Sequence, residues 1–235
     1  MKIKSESFIR KIIRYQLNES AKIEELSQKA IEAGFACLQA GEEDEGFLII
    51  YNPKIVIAHA KQNKDTRYTQ NFVIAFIEWM TNDPEDFGPC FGAPMIKTSW
   101  ADQAYRLGPL VYDYALYATD GLMADRFSVS PSAKKIWQKY FEREDVEKKK
   151  LDNWKNPKTP SDEDKCEAHE EEFLNYVYSI EEMPPGYRQM IKNNNLAMSE
   201  MRAILGKFDS DIFKVTAHKF ARSAFIADYA TNKMR

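Results

Sequence analysis

The chemistry-bearing stretch of this chain is "QAYRLGPLVYDYALYA", Gln103 to Ala118. A Gly-Pro pair, Gly108-Pro109, stands at the junction between an apolar strand-like run and a helical pattern. Proline suits the first helical turn, where its missing N–H leaves no bond unmade. The same turn exposes unpaired amides and about half a positive charge, which is what a phosphate group seeks. Trp100 and Tyr105 flank the turn and are placed to line a pocket. Cys166-x-x-His169 has ligand-like spacing but stands alone in an acidic stretch, short of the four ligands a zinc site takes, so no metal is expected. His218 lies in a helical pattern and reads as structural, and Asp125-Arg126 at a strand end reads as an ion pair or loop anchor.

The elements that must position these residues follow from periodicity. Residues 5–17 carry Phe8, Ile9, Ile12, Ile13 and Leu17 on one helical face, and residues 20–39 repeat the pattern through Ile23, Leu26, Ala30, Ile31 and Phe35. "FLIIYNPKIVIAHA" reads as two short strands around Asn52-Pro53. Residues 71–80 are apolar and fit either a strand or a helix, 82–92 are a loop, and 93–101 are a strand. The Gly108-Pro109 helix buries Leu110, Val111, Tyr114 and Ala115 and stops near Asp120-Gly121. "LMADRFSV" is a short strand, and "SPSAKKIWQKYF" is a helix with Ser130 as N-cap and Pro131 at its first position. Residues 142–170 are so charged that they read as a solvated loop or linker. A strand at 173–180 precedes two helices, 187–205 and 210–231. The second is capped by Asp209 or Ser210, with Ile212, Phe213, Phe220, Ala221, Ala224 and Phe225 facing inward.

Strands alternating with helices predict an α/β fold, and the single-helix crossover from strand 93–101 to the next strand predicts a parallel pair. The expected organisation is an α/β domain over 1–142, a charged linker over 143–172, and a strand plus C-terminal helices over 173–235 packing on the core. The chain of 235 residues is 44% hydrophobic and 29% charged, as for an ordinary folded protein. Its net charge of −3 argues against a nucleic-acid partner. With no apolar run of about 18 residues, no membrane span is expected. Three widely spaced cysteines, Cys37, Cys90 and Cys166, suit a reducing compartment such as the cytoplasm.

Over roughly residues 20–142 the sequence resembles the GCN5-related N-acetyltransferase (GNAT) superfamily. In that family a strand is followed by Q/R-x-x-G-x-G/A and a helix, and here the matching run is Gln103-Ala104-Tyr105-Arg106-Leu107-Gly108. "GPLVYDYAL" is similar to the family's "GSALLEYAL", and "SPSAKKIWQKYF" to its "N-x-x-A-x-x-L-Y-E-K-x-G-F" helix. The resemblance implies a GNAT-like mixed central sheet flanked by helices, with a C-terminal helical extension. It implies acetyl-CoA or a related thioester as acyl donor, its pyrophosphate on residues 103–108 with Ser130 nearby, and an amine-bearing small molecule or protein as acceptor. Arg106 stands where the family has its first glycine, Ser130 at its asparagine, and Trp137 where a tyrosine often protonates the leaving thiolate. Tyr140, one turn on, is then the candidate acid, and Asp102, Glu78 or His59 the candidate base. The departures motivate an alternative: a catalytically inactive GNAT-like structural or interaction module with a protein assembly partner. The run from Gly108 to Phe141 is also similar to GNAT-like proteins encoded by bacteriophages, which would place the chain in a host cytoplasm or a virion.

Overall fold

The computed structural model of the chain describes residues 22–41, 45–63, 72–80, 93–125, 127–151, 169–206 and 208–233. The expected helix at 5–17, the loop at 82–92 and Cys166 lie outside the described residues. Helix α1 occupies 22–32 and buries Ile23, Ser27 and Ala30 along one face. It is shorter than the 20–39 expected from periodicity. Gly34 takes a left-handed conformation, φ +76°, and its amide caps the carbonyl of Ile31, which stops the helix. The following residues alternate as strand β1, Ala36–Gly41, with Phe35 and Cys37 facing one core and Ala36 and Leu38 the other.

Strand β2, Gly46–Tyr51, forms a hairpin with β1, with Ala36 opposite Tyr51 and Gly41 opposite Gly46. The second strand expected after Asn52-Pro53 is instead helix α2, Pro53–Asn63. Asn52 accepts from the Lys54 amide with its side chain, and Pro53 opens the first turn, so capping overrode the apolar alternation of "KIVIAHA". Strand β3, Val73–Met80, settles the ambiguous run 71–80 as a strand covered on both faces. Strand β4, Met95–Ala101, leads into helix α3, Gly108–Ala118.

Strand β5 is only Leu122–Met123. The longer strand expected through residue 129 is broken by Asp125, whose Oδ1 accepts from the amides of Phe127 and Ser128 and turns the chain. Helix α4, Pro131–Glu142, is capped by Ser130 as expected. The charged stretch 143–172 was expected to be loop throughout. Its residues Glu147–Lys150 form β6, an edge strand anchored by the buried flanks Val146 and Leu151. A 3-10 turn at Glu172–Leu174 leads into β7, Tyr176–Ser179. Helices α5, Tyr187–Leu205, and α6, Ser210–Lys233, complete the described chain. Asp209 is the cap of α6, and Phe213 and Ala221 face inward as expected. Ile212, also expected inside, is 58% exposed, because the α6 core stripe runs through Phe213, Ala217 and Ala221 instead.

The seven strands form one mixed sheet in the order β1-β2-β3-β4-β5-β7-β6. All neighbours are antiparallel except β4 and β5, which are parallel as the crossover through α3 predicts. One sheet face packs a core with α1, α3 and α4, and the other packs a core with α2, α6 and the later part of α5. The architecture is therefore α/β, with helices on both faces of a single sheet.

Candidate functional site

The turn from β4 to α3 is built by Asp102. Its amide donates to the Ile74 carbonyl, extending the β3–β4 pairing by one residue. Its carboxylate accepts from the Ala104 amide, and its carbonyl accepts from the amides of Tyr105 and Arg106. This winds Gln103 to Arg106 into a tight turn that closes on Arg106 at φ +57°. Left-handed backbone is where glycine costs least and a side chain costs roughly 1–2 kcal/mol. Arg106 thus keeps the backbone shape that a glycine would take while adding a guanidinium. Leu107 is buried and starts α3, its carbonyl accepting from Val111. The amides of Leu107, Gly108 and Leu110 have no acceptor among the described residues, and Pro109 has no amide to offer.

Of these three residues, Gly108 borders a cavity of about 950 Å³ walled by α1 on one side and the turn on the other, while Leu107 and Leu110 are buried behind it. α1 contributes Lys22, Glu25 and Lys29, and the turn contributes Asp102, Gln103, Arg106, Gly108 and Pro109. Three cations and a helix N-terminus therefore look onto one space, with Lys29 also paired to Glu25. Tyr105 is exposed and sets its ring edge-on against Phe35 at 5.4 Å. Beside the turn the β4–β5 ladder has already ended. β4 and β5 pair only at Met95 and Met123, and β4 then runs on to Ala101 with no ladder to β5. Halfway along this free stretch the Ser99 hydroxyl meets the Tyr112 hydroxyl at 2.8 Å.

The other sequence candidates are dispersed. Ser130 lies at the start of α4, where its Oγ is occupied by the Ala133 amide. Glu78 faces α6 on the opposite side of the sheet, stacked among Phe47, Phe76 and His218. His59 lies in α2, its Nδ1 buried with no hydrogen-bond partner among the described residues. His169 contacts the Asp125 carbonyl and belongs to a loop network with Asn175. Among the candidate bases, Asp102 is the one that lines the cavity.

Tyr140 is buried, and its hydroxyl donates to the Asp113 carboxylate and lies 3.2 Å from the Pro109 carbonyl. Burial, followed by the Asp113 charge, raises its pKa well above the ordinary phenol value. Asp113 is the centre of a network that the sequence did not disclose. Arg143 holds it with two bonds, 2.7 and 3.1 Å, bridges onward to Asp145, and lies over the Tyr140 ring. Burial raises the Asp113 carboxyl, against the opposing pull of Arg143. Burial also works against the Arg143 charge, yet its bonds to Asp145 and Asp113 raise its pKa above the usual value. The one sequence signal was an aspartate inside the buried stripe of α3, "LVYDYAL". A second cavity, about 630 Å³, lies on this side and is edged by Glu144, Asp145, Glu147, Glu181 and Glu182.

Compared with known proteins, the chain matches no family model, no curated protein and no solved structure. Among the described residues, no group of three or more His, Cys, Asp or Glu side chains could hold a metal ion. Nor is any helix among them long and apolar enough to cross a membrane.

Proposed function

We propose that the chain is a GNAT-like N-acyltransferase that moves an acyl group from acetyl-CoA or a similar thioester to an amine. The observation that carries this reading is the early end of the parallel β4–β5 ladder beside a helix N-terminus that faces three cations. The free stretch of β4 offers main-chain groups to an extended arm, and the Gly108 amide at the helix N-terminus offers a bond to its diphosphate. Gln103 and Arg106, with Lys22 and Lys29, would supplement that amide. When bound, the thioester supplies an activated acyl carbon. The chain holds it while the amine attacks, the C–S bond breaks, and the amine proton leaves to solvent or to Asp102. Positioning supplies much of the rate. Tyr140 serves here by tying α4 to the first turn of α3 through Pro109 and Asp113. The acidic cavity one helical turn further along α3 gives a cationic acceptor a favourable field.

Titration calorimetry with acetyl-CoA tests the reading, with micromolar to millimolar binding expected. Gly108→Glu places a carboxylate at the amide. A side chain there first meets Ala101 Cβ at 3.7 Å, an ordinary contact, so the fold survives while binding is lost. Wild-type protein showing neither heat nor thermal shift at millimolar acetyl-CoA would sink the proposal. A second reading, a non-catalytic GNAT-like assembly module, is favoured by the outer face of α6, where Ile212, Val215 and Ile226 are 58, 53 and 63% exposed. Acetylation of any amine by the purified protein rules it out.

A further inference from the structure

Glu78 is a carboxylate buried in the middle of the sheet, on β3, with 7% of its surface exposed. Three basic side chains from two elements surround it. Lys97 of β4 lies at 3.7 Å, and His218 and Arg222 of α6 lie at 3.5 and 3.2 Å. The Phe47 ring stacks on His218 at 4.5 Å and 12°, fixing the imidazole over the sheet. Burial pushes the Glu78 carboxyl upward, but the charges of His218, Arg222 and Lys97 outweigh it and hold its pKa below the ordinary value. A carboxylate so placed is costly without its partners, and two of the three belong to α6.

The third partner sits at a break in the β3–β4 ladder. Glu78 pairs with Thr98 and Trp79 with Ile96, so Lys97 is an extra residue, a bulge in β4. A bulge bends its strand and adds twist. This one falls two residues past Met95, the last residue of β4 paired to β5. The bend therefore falls just past the end of the β4–β5 ladder, at the place where Lys97 stands 3.7 Å from Glu78.

We propose that α6 sets the opening between β4 and β5, acting through Glu78 on the Lys97 bulge. Glu78 is then a positioning residue, and the C-terminal helix regulates a cleft that none of its described side chains lines. The consequence for thioester binding rests on the acyltransferase reading; the coupling of α6 to β4 does not.

Hydrogen exchange measured by mass spectrometry on the full chain separates the two. Arg222→Ala removes one α6 partner from a half-exposed position, so the fold is retained. Exchange is expected to rise by up to about fivefold, the loss of one partly exposed ion pair, in both 210–233 and 95–101, and not in the β1–β2 hairpin. Arg222→Lys, which keeps the charge, should restore most of the protection. Acetyl-CoA affinity should fall by a similar factor in Arg222→Ala and recover in Arg222→Lys. Faster exchange in α6 with β4 unchanged overturns the proposal, as does no change in either. If exchange couples as expected but wild-type protein ignores acetyl-CoA, the coupling stands and the acyltransferase reading fails.

Discussion

Arg143→Met isolates the buried charge network beneath α3. In the folded chain the Asp113 side chain is 3% exposed and that of Arg143 is 10% exposed, while Asp145 is 51% exposed. The substitution leaves Asp145 free to hydrate but strands Asp113 with only the Tyr140 hydroxyl as donor. Removing one partner of a buried pair costs about 3–5 kcal/mol, which for a chain of this length lowers the thermal midpoint by about 6–20 °C. Urea denaturation gives the free energy directly. The deficit should also depend on pH. Burial already raises the Asp113 carboxyl, and losing the opposing guanidinium raises it further. A carboxyl raised in the folded state contributes stability that is present below its unfolded pKa and lost as pH rises through the folded value. The deficit of Arg143→Met should therefore be largest at neutral pH and shrink on acidification, as Asp113 takes a proton. The double variant D113N/R143M removes the stranded charge, keeps an acceptor for Tyr140, and should recover most of the loss at pH 7. If Arg143→Met costs less than about 1 kcal/mol, or if D113N/R143M is no more stable than the single variant at neutral pH, the network does not hold α3 to α4 as argued.

Two backbone positions give further tests. Arg106→Gly relieves a left-handed side chain but loosens the unfolded chain, so stability should stay within about 1 kcal/mol of wild type or rise, whereas Arg106→Val should cost about 1–3 kcal/mol in thermal unfolding. Equal losses from both would show that the turn does not depend on that conformation. Gly186→Ala meets Ser27 Oγ at 1.9 Å and Ile31 Cδ1 at 2.9 Å from a backbone at φ +75°, and should destabilise by about 2–4 kcal/mol in urea. A midpoint within error of wild type would mean that α1 and α5 do not meet there.

Much of the frame was legible because local signals and tertiary packing agreed. Ser130-Pro131 and Gly108-Pro109 begin helices by capping and by proline placement, and both helices form where those signals put them. Where two local signals competed, the reading went astray. At Asn52-Pro53 the apolar alternation suggested a strand, while the asparagine cap and the first-turn proline favoured the helix that forms. At 142–170 charge concealed an edge strand, because an edge strand exposes one side of its ladder and tolerates lysines that a central strand would not. Length was hidden at Gly34 and Asp125, where one glycine and one aspartate end elements that periodicity alone would extend.

The site divides along the same physical line. Residues 102–108 lie together because they are consecutive, so their turn and Arg106 could be read from order alone, whereas Lys22 and Lys29 reach the same cavity only through the packing of α1. Asp113 and Arg143 are thirty residues apart, and Glu78 meets its α6 partners across about 140 residues. Nothing local distinguishes these carboxylates from solvated ones. Only the packing of α4 on α3, and of α6 on the sheet, turns them into buried groups whose charge must be answered. Arg106 shows the converse limit. Its side chain departs from the glycine that the resemblance implies, yet its backbone takes the conformation that a glycine there would supply. A substitution read as a loss of chemistry thus preserves the shape of the turn and adds a positive charge beside it. On the proposed reading, binding at that turn would rest on its amide geometry and surrounding cations, to which the identity of residue 106 is a poor guide.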